Sequence, residues 1–446
     1  MDSTRSRIEL QPQTSAAAVH SGPRLKLLDD IMATPEPRAA PREWLIIGGT
    51  QFMGRHLVSM LLDDATERVT LLNRGKTPTP WLPSHHARLR RMRCDRFAER
   101  ATLRALVASA AWDVVVDFQA FDPPQVQDIA DSMNPGALYI FISTDSVYMA
   151  SPPPPPHTLP VGLCAPLREE DARLPRDAAD TAAVARRDNE YQAEYGGGKL
   201  RCEAWLRQRR QRRRALRWVA LRLPDVVGPH DNCGGFLDLL ELIAAEGSVV
   251  GTGGLCVRRG LERRISLVYA LDVARAVVCV ANLDRAAAAV STASPTVGSS
   301  STASGVVGCV FNVACDEQPR FEELCAAVQA AAVDDATRRE LKRAAAWSVS
   351  GAPLGAPRPP TPPTLRAPLR FDAARENPMV TVSTGPLDTS AWRALTIGAW
   401  TPTPLAEVVQ SVVAWYSDPR NAAATKRFVA GSSETSESSS EGDDAG

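Results

Sequence analysis

The stretch WLIIGGTQFMGRHL, residues 44–57, decides the fold of this chain. An apolar run ends at a pair of glycines, and apolar residues at helical spacing follow it. A strand that breaks at glycine and continues as a helix is the unit in which a parallel sheet can bind a dinucleotide. The helix N-terminus offers free N–H groups and a positive dipole end to a pyrophosphate. We therefore predict cofactor-binding residues along the whole turn, which are Gly48, Gly49, Thr50, Gln51, Phe52, Met53 and Gly54.

One residue of this turn leaves a second interpretation open. Gln51 stands where the usual G-x-x-G-x-x-G spacing has its middle glycine, so a side chain occupies the place where the backbone should approach the phosphate. A P-loop is excluded, because Gly54 is followed by Arg55 and His56 instead of Lys and Ser or Thr. The alternative to a dinucleotide site is a plain strand-to-helix turn.

Strands and helices alternate on both sides of this turn. Apolar runs predict strands at residues 44–47, 68–72, 113–116, 138–142 and 218–221, with helices at 55–62 and 124–133. The run LYIFI is continuously apolar, as expected of a central parallel strand covered on both faces. The alternation predicts an α/β protein with a Rossmann-type doubly wound parallel sheet, followed by a smaller C-terminal α/β substrate lobe.

Pro-rich and Ser-rich stretches divide the 446 residues into parts. We expect the leader and the acidic, Ser-rich tail to be disordered, and the internal stretches to be insertions in surface loops. The predicted organisation is a leader (1–42), an NAD(P)-binding Rossmann domain (43–225) with a Pro-rich insertion (151–188), a substrate-binding lobe with partly shared strands (226–418) and low-complexity insertions (291–305 and 352–368), and a tail (419–446).

Composition excludes several classes of protein. The 51 basic and 51 acidic residues give no net charge that would steer the chain towards nucleic acid or an anionic membrane. No apolar run approaches the roughly 20 residues of a membrane span, and the N-terminus does not resemble a secretory signal. The nine cysteines form no C-x-x-C pair and the histidines show no ligand spacing, so we predict no metal site. These observations favour a cytoplasmic protein in a reducing compartment.

The second and third strands end in residues suited to the adenosine half of a cofactor. Asn73 and Arg74 stand where an NAD-selective site would place an acid for the ribose hydroxyls. Arg74, together with Lys76, could pair with a 2′-phosphate, which favours NADP; NAD and a solvated basic turn remain alternatives. In RCDRF, Asp95 could accept a hydrogen bond from the adenine amino group, with Arg96 beside it.

The sequence YGGGK places Tyr195 and Lys199 four residues apart, so both side chains lie on one face if the segment is helical. A lysine beside a phenol favours the phenolate, which a tyrosine base requires. Lowering a tyrosine pKa from about 10 to about 7 needs roughly 4 kcal/mol. Three glycines cost a helix about 1 kcal/mol each, so the alternative is a helix that begins near Lys199, with Tyr195 on the preceding loop.

Two further segments carry candidate functional residues. FISTDSVY ends the central strand with Ser143 and Thr144 at its carboxyl edge, where open α/β sheets place their ligands. A hydroxyl there could bond a substrate oxygen, or cap the following turn. The arginine run at residues 207–217 is typical of a solvated helix face, with RNA binding as the alternative.

Taken in order, these motifs resemble the extended branch of the short-chain dehydrogenase/reductase superfamily, the NAD(P)-dependent epimerases and dehydratases. IIGGTQFMG is similar to its opening turn, FISTDSVY to its hydroxyl-bearing strand and YGGGK to its Tyr/Lys pair. The resemblance implies that Tyr195 is the acid/base, Lys199 its partner and Thr144 the hydroxyl, with Ser143 as the fallback. GGTQFMG with NRGK and CDR looks closest to an atypical subgroup that includes chloroplast stem-loop RNA-binding proteins.

The resemblance also implies an activity. It predicts hydride transfer between a nicotinamide cofactor and a hydroxyl-bearing small molecule, and a nucleotide sugar is the family's most frequent substrate. The enzyme would be an epimerase, dehydratase or reductase, and it could be a homodimer. The alternative is a catalytically vestigial NADP-binding scaffold or an RNA-binding protein. Retention of Tyr195 and Lys199 favours the enzyme.

Overall fold

A seven-stranded parallel sheet organises the computed structural model of the chain, in the strand order β3-β2-β1-β4-β5-β6-β9. The structure describes residues 41–83, 85–152, 165–185, 190–212, 216–246, 263–293, 306–332, 384–421 and 423–424. Two further strands, β7 and β8, pair in parallel. The strands are β1 (Arg42–Ile47), β2 (Glu67–Asn73), β3 (Leu89–Arg93), β4 (Val114–Asp117), β5 (Leu138–Thr144), β6 (Arg217–Leu223), β7 (Asp225–Val227), β8 (Leu267–Tyr269) and β9 (Cys309–Asn312).

Helices alternate with the strands, so the predicted Rossmann-type α/β fold is confirmed. The strand order runs outwards from β1 in both directions, as in a doubly wound sheet. The helices are α1 (Phe52–Asp63), α2 (Arg100–Ala108), α3 (Pro123–Ala130), α4 (Ala178–Ala185), α5 (Glu190–Arg212), α6 (Gly235–Glu246), α7 (Ala270–Ala293), α8 (Phe321–Ala331), α9 (Ser390–Leu395) and α10 (Leu405–Tyr416).

Strand β5 lies near the middle of the sheet and every one of its residues is buried. Its side chains alternate between two apolar clusters, since Ile140 packs on one face of the sheet and Tyr139 and Phe141 pack on the other. The prediction of a central strand covered on both faces is therefore confirmed.

The C-terminal part shares its core with the sheet. Strand β9 pairs with β6, and Trp392 and Trp400 pack in the same apolar cluster as Trp44 of β1. At the other end, β1 begins at Arg42, the last residue of the predicted leader, because its guanidinium is buried against the Glu67 carboxylate. Residues 1–40, most of the predicted insertions and the end of the tail lie outside the described residues.

Candidate active site at the carboxyl edge of the sheet

A crevice of about 420 Å3 opens at the carboxyl ends of β1, β2 and β4. Strand order reverses direction between β1 and β4, which is where open α/β sheets bind ligands. The volume is within the range of small-molecule sites. The crevice is lined by Ile47, Gly48, Thr50, Gln51, Phe52, Met53, Gly54, Leu72, Asn73, Arg74, Gly75, Lys76, Thr77, Cys94, Arg96, Phe97, Phe118, Gln119, Phe121, Tyr195, Asn232 and Cys233.

The glycine turn forms one wall of this crevice. Gly48 has a φ of +88°, and a Cβ on Gly54 would stand 2.7 Å from the Gly48 carbonyl oxygen, so neither position accepts a larger residue without strain. The Gln51 side chain makes no cap to α1, which leaves the N–H groups of the first helical turn available to an anion. These features fit the pyrophosphate of a dinucleotide.

Two members of the turn depart from the pattern. Gly49 does not line the crevice; a Cβ there would meet the buried side chains of Ile46, Leu71 and Val58, so it packs the turn onto the sheet. Phe52 has a φ of +44° without being glycine, which is a strained conformation of the kind found at ligand sites.

Three cations gather at the turn after β2. Arg74 and Lys76 line the crevice, and the Arg93 side chain packs beside Gly75, with its Cδ 3.4 Å from where a Cβ on that glycine would stand. Asn73 shapes the turn by accepting a hydrogen bond from the Gly75 N–H at 2.7 Å. Within the described residues, no carboxylate forms an ion pair with any of the three cations. The turn therefore offers uncompensated positive charge to a ligand.

The structure separates the two candidates that follow β3. Arg96 lines the crevice, but its guanidinium is buried and bonds both carboxylate oxygens of Asp117 at 2.8 and 3.1 Å. The Asp95 carboxylate accepts from the backbone N–H groups of Phe97 and Ala98 and does not line the crevice. Asp95 thus shapes a turn that presents the Phe97 ring, 53% exposed, at the rim.

Helix α5 carries both Tyr195 and Lys199, so the alternative in which the helix begins near Lys199 is wrong. The glycines between them explain why. A Cβ on Gly196 would overlap the Ser146 carbonyl, and a Cβ on Gly198 would overlap the Phe121 carbonyl. Glycine lets the helix approach these two backbones, and the contacts stabilise a segment whose helix propensity is low.

Tyr195 stands at the crevice beside Thr144. Burial raises the pKa of the Tyr195 phenol above its ordinary value, the Cys233 thiol and the Asp145 carboxylate raise it further, and a hydrogen bond with Thr144 opposes the rise. The Thr144 hydroxyl also accepts from the Ser146 N–H at 3.2 Å, so it both caps the turn and contacts the tyrosine. The two alternatives for this hydroxyl are therefore compatible.

Lys199 lies beneath the crevice and does not line it. Its side chain is fully buried and Nζ donates to the Ile142 carbonyl at 2.8 Å. Nζ stands 4.8, 5.0 and 5.8 Å from the ring centroids of Phe121, Phe141 and Tyr195. Burial lowers the pKa of Lys199 to about 8. The expected proximity to Tyr195 is present, and Phe121, which lines the crevice, also contacts the ammonium.

Ser143, the fallback hydroxyl, faces away from the crevice. Its Oγ donates to Glu203 at 2.7 Å, and Glu203 binds Arg222 through both carboxylate oxygens at 3.0 and 2.7 Å. Glu203 and Arg222 are completely buried. Arg222 also donates to the Tyr148 hydroxyl at 3.1 Å. Ser143 therefore belongs to a network that joins β5, α5 and β6, and Thr144 is the hydroxyl beside the tyrosine.

Sequence reasoning missed the wall opposite the glycine turn. Gln119 and Phe121 follow β4, and Asn232 and Cys233 follow β7, with no motif to mark any of them. Asn232 Nδ2 approaches the Gln51 Oε1 atom at 3.5 Å, so the two walls meet. The only signal available was position, since residues after parallel strands collect at one edge of the sheet.

The arginine run follows the Tyr/Lys pair on α5. Arg207 forms an ion pair with Glu203, Arg209 pairs with Asp131, and Arg210 donates to a backbone carbonyl. These arginines are engaged within the chain, and residues 213–215 lie outside the described residues. RNA binding stays a prediction.

Two absences hold for the described part of the chain. None of its helices has the length and apolar character that a membrane span requires. Its His, Cys, Asp and Glu side chains form no group of three that could hold a metal ion.

Comparison with known proteins found one family match and several similar structures. Residues 44–137 match the NAD dependent epimerase/dehydratase family. No curated protein matches the chain. Among solved structures it is similar to WbmH of Bordetella bronchiseptica in complex with NAD+ (19% identity, 84% of this chain and 98% of that one, TM-score 0.51). It is also similar to a Bacillus anthracis dTDP-glucose 4,6-dehydratase in complex with NAD (14% identity, 84% and 96%, TM-score 0.52).

A third similar structure is a UDP-N-acetylglucosamine 4-epimerase from Methanobrevibacter ruminantium M1 in complex with UDP-N-acetylmuramic acid (16% identity, 85% of this chain and 99% of that one, TM-score 0.52). At these identities the structures establish the fold, and the family is carried by the segment that includes β1, the glycine turn and β4. The match to the NAD dependent epimerase/dehydratase family is confined to residues 44–137 of this chain.

Proposed function

We propose that the chain is a nicotinamide-dinucleotide-dependent enzyme of the epimerase/dehydratase type, acting on a hydroxyl-bearing small molecule such as a nucleotide sugar. One observation carries the proposal: a single crevice brings together an uncapped helix N-terminus, a cluster of cations that no carboxylate of the described residues pairs with, and Tyr195. The family match of residues 44–137 and the similarity to structures that hold NAD support the same conclusion.

In this proposal Tyr195 exchanges a proton with a substrate hydroxyl, and Thr144 holds the oxygen beside it. A bound nicotinamide dinucleotide would supply the hydride acceptor, and its oxidised ring a positive charge. Because burial raises the pKa of Tyr195, the phenol stays neutral by itself and gives up its proton less readily than a free phenol does. To act as a base, Tyr195 requires positive charge nearby. Lys199 contributes such a charge, because its Nζ atom is 5.8 Å from the centroid of the tyrosine ring.

We further propose that the cofactor is NADP. Arg74, Lys76 and Arg93 converge on one turn at the crevice rim without a described carboxylate partner, which suits the two negative charges of a 2′-phosphate. Intrinsic fluorescence titration should show tighter binding of NADP than of NAD. Arg74→Ala and Arg93→Ala should each remove most of that difference and leave NAD affinity unchanged.

Arg90 provides the matched control for the cofactor experiment. It is an exposed arginine on the same edge strand as Arg93, and the described residues give it no contact with the crevice. Arg90→Ala should preserve the preference for NADP. An unchanged ratio of affinities in Arg74→Ala would overturn the choice of NADP over NAD.

The catalytic part of the proposal is tested with Tyr195→Phe. UDP-N-acetylglucosamine and dTDP-glucose serve as probes, and the reduction of bound cofactor is followed by nicotinamide fluorescence. We expect the variant to lose the reaction and to keep its affinity for NADP, because the lost hydroxyl is at the reacting end of the crevice. Equal rates in Tyr195→Phe and the parent would reject Tyr195 as the acid/base. A steep salt dependence of RNA affinity would instead favour the scaffold alternative.

A further inference from the structure

Phe121 lies beside both the buried lysine and the crevice. The residue lines the cavity, whereas Lys199 does not, and the Lys199 Nζ atom is 4.8 Å from the Phe121 ring centroid. The Phe121 ring also stands 6.0 Å from the ring of Tyr195, at an interplanar angle of 48°. Phe121 therefore contacts both members of the proposed catalytic pair.

The surroundings of Lys199 give this ring its importance. The ammonium has three N–H donors, and the described residues provide it with one hydrogen-bond acceptor, the Ile142 carbonyl. Its other neighbours are the faces of Phe121, Phe141 and Tyr195, which attract a cation through the quadrupole of the ring. The charged groups that act on it from further away are Asp117 and Glu203, which favour the ammonium, and Arg96, which opposes it.

The backbone holds Phe121 in a fixed position. Its N–H donates to the Gln125 Oε1 atom at 2.7 Å, and its carbonyl packs against Gly198, where a Cβ would overlap it. Gly198 directly precedes Lys199, so the loop after β4 and the lysine on α5 are placed by the same contact. A ring anchored in this way can restrict where the ammonium lies.

We propose that Phe121 is a positioning residue: its ring holds the Lys199 ammonium in place beside Tyr195. The inference rests on the proposed function for the role of Lys199 as the partner of Tyr195. Phe121 acts through the lysine, by limiting where the ammonium lies relative to the tyrosine ring.

The experiment is NMR of the full chain with ε-13C-labelled lysine. The sequence has only five lysines, and Lys199→Arg identifies the signal of interest. We expect the ε-protons of Lys199 to resonate upfield of the other four because of the aromatic ring currents, with a titration midpoint near 8. Phe121→Ala should reduce the upfield shift and raise the midpoint by about one pH unit or more, since water would reach the ammonium.

Two variants control this experiment. Phe121→Tyr keeps a ring in place and should retain the parent shift and midpoint. Phe97→Ala removes an exposed phenylalanine of the crevice, which has no ring contact with Lys199 among the described residues, and should leave the Lys199 signal unchanged. If Phe121→Ala fails to fold, Phe121→Leu replaces it, and only the upfield shift of the Lys199 signal is compared with that of the parent. A leucine has no ring current and cannot produce this shift.

The inference would be overturned if the Lys199 signal kept its shift and midpoint in Phe121→Ala. It would also be overturned if the signal kept its shift in a folded Phe121→Leu. The measurement needs no cofactor, so its result is independent of whether the crevice binds NADP. Failure of both NADP and NAD to bind the parent chain would reject the proposed function and leave the contact between ring and ammonium standing. Binding of NADP with an unaltered Lys199 signal in the variant would reject the positioning role alone.

Discussion

The three glycines between Tyr195 and Lys199 allow the geometry of the site to be tested one residue at a time. Gly196 and Gly198 face backbone atoms of neighbouring loops, whereas a Cβ on Gly197 would meet only the Arg201 guanidinium at 3.4 Å and the Ala150 Cβ at 3.7 Å. These are ordinary van der Waals distances. The three Gly→Ala substitutions therefore make the same chemical change in the same helix and differ only in what the new methyl group meets.

The expected magnitudes follow from these contacts. Alanine in place of glycine inside a helix stabilises by about 1 kcal/mol, so Gly197→Ala should raise the free energy of unfolding by about that amount. At Gly196 the methyl group would overlap the Ser146 carbonyl and stand 2.8 Å from the Val147 nitrogen, both of them backbone atoms that cannot rotate away. Overpacking of this kind costs about 1–3 kcal/mol or more. The gain in helix propensity is common to both variants, so we expect Gly196→Ala to be less stable than Gly197→Ala by the overpacking cost, about 1–3 kcal/mol or more.

Urea unfolding followed by tryptophan fluorescence measures this difference, with midpoints compared at constant slope. NADP titration of the folded variants gives a second measurement, in which Gly197→Ala should bind as the parent does. Gly198→Ala should fall on the unstable side with Gly196→Ala, because its methyl group would overlap the Phe121 carbonyl. Equal midpoints for Gly196→Ala and Gly197→Ala would refute the close approach of α5 to the turn after β5, and with it the placement of Tyr195.

Two further predictions concern the buried ion pair between Arg222 and Glu203 and the pH dependence that His230 contributes to stability. Arg222→Met should destabilise the fold by about 3–5 kcal/mol, because it leaves the buried Glu203 carboxylate with only the partly exposed Arg207 as a cation, and adding Glu203→Gln should restore part of the loss in the urea midpoint. Burial lowers the pKa of His230 to about 4, so this residue makes the folded state lose stability as pH falls from about 6.5 towards 4. His230→Asn should tolerate the φ of +66° and reduce that loss, as measured by urea midpoints at neutral and acidic pH; an identical pH dependence would contradict it.

Local sequence patterns were sufficient to predict most strands of the sheet. The apolar runs of β1, β4, β5 and β6 are long enough to predict strands, and their alternation with helices predicts the parallel order. Strand β3 is harder, because LRRMR is an edge strand with one buried residue, Met92, and three exposed arginines. Little apolar periodicity remains when only one side chain in five is buried.

The motif residues of the site were predictable where they are contiguous in sequence. The alternation of β5 also predicts that the two hydroxyls lie on opposite faces of the sheet: Ser143 shares its face with Tyr139 and Phe141, and Thr144 shares the opposite face with Ile142. Phe121 and Asn232 could not be predicted, since their place in the crevice depends on tertiary packing between segments far apart in the chain.

The glutamine in the glycine turn was the strongest sequence argument against a dinucleotide site, and its backbone removes most of that argument. Gln51 has a φ of −138°, an extended conformation that any residue adopts, so no glycine is needed there for conformational reasons. The left-handed φ falls instead on Phe52, whose ring is buried in the core, and this burial offsets a strain of about 1–3 kcal/mol. The Gln51 side chain extends to Asn232 on the opposite wall, which leaves the N–H groups of α1 uncapped for an anion.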